Sequence, residues 1–337
     1  MGETVGKKAS KNQYVDALKG IACLIVVLLH CPFPGIIGAG IIYGVRFSVP
    51  VFFMISGYYS FYKSDEWILD KAKYILQLLI FSELFYGVWT LIYQCVIQKK
   101  SLAEIFVDKL CDINIIQTVF FGTFFNGTLW YLYAIFWTWI VLYMLRKIKI
   151  ADKCYFLVPA LLFVQVFGRM YVQNHYDIDV YVVWFRNVLT FGLPFTMLGS
   201  WIARYQQRLE DIFTKKKNIA LIGVGFGLIV LEFFLYGQYM DTHVSTIVIA
   251  FALFLYAIRQ KGEVKDFLRG FAYIGARWSM WIYLLHMFVS QLFQVFFQLL
   301  SLEEFSIFQY GKPIFVCIVT CLLSEIFVRI KALKIAR

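Results

Sequence analysis

The stretch that decides the fold is Tyr14-Val-Asp-Ala-Leu-Lys-Gly-Ile-Ala-Cys-Leu-Ile-Val-Val-Leu-Leu-His30. Lys19 and His30 lie 11 residues apart in it. At roughly 100° per residue this spacing is within about 20° of three full turns, so one helix face carries both side chains. The rise between them is roughly 16 Å, about half of a bilayer core. The spacing predicts a membrane helix with a cation near one surface and an imidazole deeper inside; two tolerated polar residues near the helix ends are the alternative.

Composition places the whole chain in a membrane. Of its 337 residues, 61% are hydrophobic and 20% aromatic, and the formal net charge is +11. The basic residues fall in short runs between apolar segments, which indicates loops at a membrane surface and no nucleic-acid partner. The 7 cysteines contain no CxxC, so neither a disulfide framework nor a zinc or other metal site is expected. The first apolar run lacks a small-residue cleavage site and is not interpreted as a signal peptide.

Hydrophobic segments of spanning length recur along the chain and predict an all-α, polytopic membrane protein of about ten transmembrane helices. One membrane domain, 14–331, is expected between an N-terminal tail, 1–13, and a C-terminal tail, 332–337. The predicted spans are 14–31, 40–62, 74–97, 128–145, 154–171, 182–203, 218–237, 243–258, 277–298 and 313–330.

Loop cations predict the orientation. With a cytoplasmic N-terminus, the inner segments carry 23 Lys and Arg residues and the outer loops only 4, namely Lys99, Lys100, Lys109 and Lys312. Because cytoplasmic loops of membrane proteins are enriched in Lys and Arg, both termini are predicted to be cytoplasmic.

Charged residues within the predicted spans indicate a polar internal site. The basic ones are Lys19, Arg46, Arg169, Arg186 and Arg277, and the acidic ones are Asp16, Glu83, Glu232 and Glu325. Such residues usually face the bundle interior or an aqueous cavity and pair with one another. Enzymes and transporters both need such a site, so the charges alone do not separate the two classes.

Several spans contain further candidate residues. Pro50 predicts a kink in the second span, and Ser56-Gly57 leaves room for a neighbouring helix or a ligand. Glu83, in the third span, is the expected partner of a buried cation. His286 is expected to line the site, because a deep imidazole is costly unless it is hydrogen-bonded.

Four further features concern the membrane interface and the outer loops. Trp130 and Tyr133 are expected in an aromatic belt at the membrane interface, and Arg186 either snorkels to that interface or serves the site. His175 and His243 are expected to be solvated loop residues. The longest outer loop, 98–127, is expected to form an amphipathic surface helix around Leu102, Ile105 and Phe106.

The opening motif, with its continuations, resembles the membrane-bound acyltransferase-3 family. The pieces that carry the resemblance are Asp16-Ala-Leu-Lys19-Gly with His30, Val49-Pro-Val-Phe-Phe-Met-Ile-Ser56-Gly57-Tyr58, Leu129-Trp130-Tyr131-Leu, Arg186-Asn187 through Leu198-Gly199, and Ile282-Tyr283-Leu-Leu-His286. The membrane part of glycopeptide-resistance serine racemases is also similar.

The resemblance implies an acyltransferase with about ten helices. Such a protein takes an acetyl or other short acyl group from cytoplasmic acyl-CoA, without a metal, and delivers it to a hydroxyl or amine, often on a cell-envelope glycan or a lipid-linked acceptor. A multi-pass location in a bacterial cytoplasmic membrane is then expected. The cation and histidine of the family's first helix correspond to Lys19 and His30. The family's arginine pair at the start of the third helix is replaced by Lys71 and Lys73.

The residues themselves suggest the same division of roles. Inner-face cations suit the phosphates of acyl-CoA, so Lys19, Lys71 and Lys73, with Ser56, are the candidate donor-binding residues. His30, Asp16 and His286 are the candidate catalytic residues, since an imidazole can take a proton or the acyl group itself. Arg46, Glu83, Tyr131 and Arg186 are candidates for binding the acceptor. A secondary transporter of an amino acid or envelope polymer is the main alternative, and the oligomeric state is not predicted.

Overall fold

The structure is a computed structural model that describes residues 11–111, 117–122, 124–176, 184–236, 242–302 and 304–335. Within these ranges the chain is helical and forms no strand, so the all-α prediction is confirmed. The chain divides into two compact units. Unit 1 comprises residues 1–55 and 204–337, and unit 2 comprises residues 56–203.

Unit 1 is built from helices at both ends of the chain. Its described α-helices are α1 (Gln13–His30), α2 (Gly35–Gly44), the first half of α3 (Ser48–Phe61), α10 (Gln206–Ile212), α11 (Lys215–Tyr236), α12 (Val244–Arg259), α13 (Asp266–Tyr273), α14 (Ser279–Leu299) and α15 (Ser306–Ile335). A π-helical turn, Ile274–Trp278, joins α13 to α14.

Unit 2 contains the remaining helices. They are the second half of α3, α4 (Asp65–Ile92), α5 (Leu102–Cys111), α6 (Trp130–Lys147), α7 (Leu157–Phe163), α8 (Arg169–His175) and α9 (Leu193–Arg204). The last helix enters unit 1 with its final residue, Arg204. π-Helical turns extend or join several of them, at Tyr93–Ile97, Gln117–Phe121, Val164–Gly168 and Val188–Gly192.

Eight helical segments of the described chain are long and apolar enough to cross a membrane. They are Gln13–His30, Gly35–Phe61, Asp65–Ile97, Gly127–Lys147, Lys153–Val172, Lys215–Leu235, Asp266–Leu299 and Ser306–Ile330. Two predicted spans correspond to shorter helices, Leu193–Arg204 with the preceding turn Val188–Gly192, and Val244–Arg259. A polytopic membrane protein is therefore confirmed, and ten crossings remain a prediction. Residues 182 and 183, at the start of the sixth predicted span, lie outside the described residues.

Local sequence sets the ends of α1 and α4. The side chain of Asn12 caps α1 by accepting hydrogen bonds from the backbone N–H groups of Tyr14, at 2.9 Å, and Val15, at 3.3 Å. Cys31-Pro-Phe-Pro follows α1, and proline cannot continue a helix. In the same way, the hydroxyl of Ser64 caps α4 by accepting from the N–H of Trp67 at 3.3 Å.

The predicted second span is interrupted at Val45–Phe47, between α2 and α3. Pro50 stands at the third position of α3, where its missing N–H has no helical partner to lose. The sequence predicted a kink at Pro50, whereas the break comes one turn earlier. The physical reason is that Pro50 cannot donate to the carbonyl of Arg46, the residue four positions before it.

Candidate active site

Helix α1 packs along α13 and α14 within unit 1, with backbone against backbone. A Cβ atom on Gly20 would overlap the carbonyl oxygen of Phe271, and one on Gly275 would overlap that of Asp16. Farther along α1, the thiol of Cys23 donates to the carbonyl of Ser279 at 3.4 Å. Cys23 meets Ser279 at the start of α14, and His30 meets His286 farther along it, so α1 and α14 run in the same direction.

The parallel packing brings two imidazole rings together at the far end of α1. His30 is the last residue of α1, and its ring centroid lies 5.2 Å from that of His286 on α14, with 43° between the ring planes. His30 is exposed, whereas His286 is 1% exposed. The sequence named both residues as catalytic candidates, and the structure places them side by side.

The hydrogen bonds of His286 define its tautomer. Its Nδ1 atom lies 2.8 Å from the carbonyl oxygen of Tyr283 and 3.1 Å from that of Ile282. A carbonyl can only accept, so Nδ1 carries the proton and donates. In the neutral ring, Nε2 then holds the lone pair, and this buried atom has no hydrogen-bond partner among the described residues. A buried basic nitrogen without a partner suits a group that takes up a proton.

Lys19 and Asp16 lie toward the other end of α1. Both are half-buried, and the carboxylate of Asp16 is 4.0 Å from the ammonium of Lys11. The 14 residues from Asp16 to His30 correspond to roughly 21 Å of helix. Asp16 therefore lies near Lys19 on α1, at the opposite end of the helix from His30.

Arg46 is a predicted site residue of unit 1 that lies between two helices. It is half-buried and occupies the break between α2 and α3, where the helical hydrogen bonds are interrupted. Arg46 therefore does not lie on α1 or α14, the helices that carry His30 and His286.

Unit 2 holds the other predicted acceptor residues. Glu83 of α4 is half-buried and accepts a hydrogen bond from the Tyr133 hydroxyl at 3.0 Å. The guanidinium of Arg186 lies 5.9 Å from the centre of the Trp130 ring. Tyr131, also half-buried, is the second residue of α6 and follows Trp130.

The aromatic residues of α6 correct one expectation. Trp130 is 9% exposed and Tyr133 is 7% exposed, so both are packed inside unit 2 and do not form an interface belt. An interface belt requires rings that reach the headgroups. Tyr133 instead contributes a polar contact to Glu83, and Trp130 contributes an aromatic surface to Arg186.

The three predicted donor-binding residues of unit 2 have different surroundings. Lys71 lies over two rings, 5.3 Å from Trp67 and 5.4 Å from Tyr74. Lys73 is exposed and pairs with Asp70 at 3.4 Å. Ser56 is half-buried beside Gly57. A Cβ atom on Gly57 would overlap the carbonyl oxygen of Thr196, so two helices pack closely at Ser56 and Gly57.

Sequence reasoning missed His243. It is 1% exposed, not solvated, and it caps α12 by accepting a hydrogen bond from the Thr246 N–H. Its Nδ1 also lies 2.9 Å from the Tyr43 hydroxyl, with the two rings 4.1 Å apart. The sequence feature that could have indicated this role is Thr246, three residues after His243, because the two residues of a capping box have this spacing. His175, in contrast, is exposed as expected.

Fold and site together define a polytopic helical membrane protein with a pair of imidazole rings, one exposed and one buried, at the end of its first helix. The chain belongs to the acyltransferase-3 family, because the family model of this acyltransferase domain matches residues 12–327. It is accordingly a membrane acyltransferase. Neither the comparison with curated proteins nor that with solved structures finds a match.

Proposed function

We propose that this protein transfers an acetyl or other short acyl group from cytoplasmic acyl-CoA to a hydroxyl or amine of a cell-envelope glycan. The observation that carries the proposal is the pair of rings formed by His30 and His286, 5.2 Å apart. One ring is exposed and the other buried with a partnerless Nε2, which gives a proton acceptor beside an accessible imidazole.

The chemistry needs no more than these rings and a thioester. The acceptor oxygen or nitrogen attacks the acyl carbonyl carbon while an imidazole of the pair takes the proton of the acceptor. The carbon–sulfur bond then breaks, and the thiolate of CoA leaves and is protonated. An imidazole suits this step because its pKa is ordinarily near neutrality.

Lys19 supplies positive charge at the other end of the same helix, at the predicted cytoplasmic side. In the proposal it attracts the phosphates of acyl-CoA, while the thin pantetheine arm bridges the roughly 16 Å to His30. Lys71, Lys73 and Ser56 assist at the donor side. Arg46, Glu83, Tyr131 and Arg186 hold the acceptor at the outer side, in a bacterial cytoplasmic membrane.

Reconstitution tests the proposal against the transporter alternative. Purified protein in liposomes is given acetyl-CoA with a labelled acetyl group, together with envelope glycan from the source cell. Label on the glycan and release of free CoA are expected. Uptake of an amino acid or glycan with no consumption of acetyl-CoA would instead identify a transporter. Mass spectrometry of envelope glycans from cells with and without the gene then identifies the acceptor.

A further inference from the structure

The two ends of the Asn126 side-chain amide have different surroundings. Asn126 precedes the short 3₁₀ helix Gly127–Leu129, which leads into α6. Its Oδ1 atom accepts from the N–H of Thr128 at 3.0 Å and from the hydroxyl of Thr128 at 2.9 Å. Because a backbone N–H can only donate, the oxygen of the amide faces Thr128, and Nδ2 is the other end. Asn126 is 7% exposed, and its Nδ2 has no hydrogen-bond partner among the described residues.

Two other asparagines that cap helical segments satisfy both ends of the amide. Asn12 caps α1 through Oδ1, and its Nδ2 donates to the carbonyl of Gln260 at 3.0 Å. Asn187 caps a π-helical turn of unit 2 through Oδ1, and its Nδ2 donates to the carbonyl of Trp184. A buried donor without a partner is rare in folded proteins and calls for an explanation. The amide of Asn126 therefore marks a place where the oxygen of a ligand fits.

The backbone shortly before Asn126 packs against the polar contact of Glu83. Gly122 has a φ of +64°, which residues other than glycine rarely adopt. A Cβ atom on Gly122 would overlap the ring of Tyr133. The hydroxyl of this tyrosine donates to the carboxylate of Glu83 at 3.0 Å. Gly122 thus lies against the ring whose hydroxyl binds Glu83.

Phe125, the residue next to Asn126, reaches the helix of Glu83 itself. Its ring lies 3.1 Å from the position that a Cβ atom on Gly87 would take. Gly87 is four residues after Glu83 in α4, so the two residues share a helix face. The residues before Asn126 therefore pack along the face of α4 that carries Glu83. They also end the predicted outer loop 98–127, on the side proposed for the acceptor.

We propose that Asn126 is a further binding residue for the acceptor. Its amide donates to an oxygen of a sugar, and Glu83 accepts from a hydroxyl of the same sugar. Each sugar hydroxyl both donates and accepts, so neighbouring hydroxyls suit a site that offers one donor and one acceptor. A protonated amine can only donate, so it would leave the Asn126 amide without a partner.

This inference rests on the proposed function and deepens it. It adds Asn126 to the acceptor site and favours a sugar hydroxyl over an amine as the group that the site recognises. Asn126 and Glu83 both belong to unit 2, as do the residues that pack between them.

Asn126→Asp separates binding from capping. Aspartate keeps an oxygen for Thr128 and caps a helix as well as asparagine does, but its carboxylate cannot donate. With acetyl-CoA as the donor and envelope glycan of the source cell as the acceptor, KM for the glycan should rise about tenfold, in line with the loss of one hydrogen bond. The values of KM for acetyl-CoA, kcat and the midpoint of thermal unfolding should match the wild type.

A second variant and a matched control complete the comparison. Asn126→Ser keeps a capping hydroxyl without the amide, so it should give the same result and replaces Asn126→Asp if the buried carboxylate prevents folding. Asn12→Asp is the control, because the amide of Asn12 has partners within the chain. A carboxylate that faces those carbonyls should lower the unfolding midpoint and leave KM for the glycan unchanged.

Binding of fluorescently labelled envelope oligosaccharides without a donor gives a readout that does not depend on transfer. Wild-type protein should bind them about tenfold more tightly than either Asn126 variant. Wild-type binding and KM in the folded variants would overturn the inference and leave Asn126 with a capping role only. Equal increases in KM for glycan and for acetyl-CoA would also overturn it, since they indicate a general disturbance. Wild-type protein that binds the glycan but transfers no acetyl group would instead contradict the proposed function.

Discussion

The two ring nitrogens of His286 have different surroundings, and this difference assigns their roles. Nδ1 donates to backbone carbonyls of its own helix, which fixes the ring and leaves the lone pair on Nε2. His30 ends α1 and lies at the level of His286. One ring is held by its helix and the other lies at a helix terminus.

Replacing His286 by Gln should lower acyl transfer at least 100-fold, a typical contribution of general acid–base catalysis. Glutamine keeps an amide donor for the backbone carbonyls but cannot take up a proton at neutral pH. The measurement is kcat for release of CoA from acetyl-CoA, with thermal unfolding as the check that the variant is folded. A folded His286→Gln protein with wild-type kcat would remove His286 from the mechanism.

His243 is a buried histidine with a different task. His243→Ala should lower the free energy of unfolding by about 1–3 kcal/mol, because α12 loses its cap and the Tyr43 hydroxyl loses its partner. Thermal or denaturant unfolding in detergent measures the loss. The matched control is His175→Ala, at an exposed helix end, which should change stability by no more than about 0.5 kcal/mol. Equal effects of the two substitutions would contradict the capping role.

The contrast between these histidines shows which features of single residues could be predicted from the sequence. The spacing in Lys19 to His30 is a property of one helix, so it could be predicted. The contact of His30 with His286 depends on the packing of α1 on α14, which no local pattern encodes. His243 was predicted wrongly because its burial comes from Tyr43, a residue 200 positions away in the chain.

At the scale of elements, Gly20 of α1 and Gly275, in the turn after α13, allow the two helix backbones to come into contact. Gly20→Ala should destabilise the protein by about 1–3 kcal/mol, because its Cβ would overlap the Phe271 carbonyl and helix backbones cannot yield as a side chain can. Pushing α1 away from α13 would also move His30 away from His286, so the rate of acyl transfer should fall as well. Thermal unfolding and CoA release measure the two effects.

Gly223→Ala is the control for this element. Gly223 also lies inside a long apolar helix, α11, but a Cβ there would have nothing within 4 Å. Alanine is the better helix former, so no loss of stability is expected. If Gly20→Ala were as harmless as Gly223→Ala, the close contact of α1 with α13 would be in doubt.

The prolines after Cys31 end α1 within one residue of the predicted end at 31, and α1 also begins within one residue of its predicted start at 14. Helix α4, capped by Ser64, instead begins at Asp65, nine residues before the predicted start of the third span at 74. The break at Val45–Phe47 was missed by one turn because the effect of Pro50 falls on the carbonyl of Arg46 and not on Pro50 itself. The π-helical turns, such as Ile274–Trp278, gave no sequence signal that we used.

At the scale of the whole molecule, the distribution of cations predicts that both termini are cytoplasmic. In the structure Lys312, which precedes the last predicted span, lies within α15. Composition could predict the membrane class, because apolar length is a property of each segment. It could not predict the division into two units, which depends on contacts between distant segments.

Site-directed labelling tests this orientation. In a cysteine-free background, Gln98→Cys should react with a membrane-impermeant maleimide added to intact cells. Asp152→Cys and Lys261→Cys should react only after the membrane is opened. All three positions are exposed in the structure, so their reactivity depends on the side of the membrane. The reverse pattern would invert the predicted topology and place Lys19 on the outer side.

The central claim is that the imidazole pair of His30 and His286 carries out acyl transfer. The most direct measurement is release of CoA from acetyl-CoA by purified, reconstituted protein, with label followed onto the acceptor. His30→Ala should lose at least about 100-fold in kcat while remaining folded, His286→Gln should do the same, and His175→Ala should match the wild type. Wild-type turnover in folded His30→Ala and His286→Gln proteins would contradict the claim.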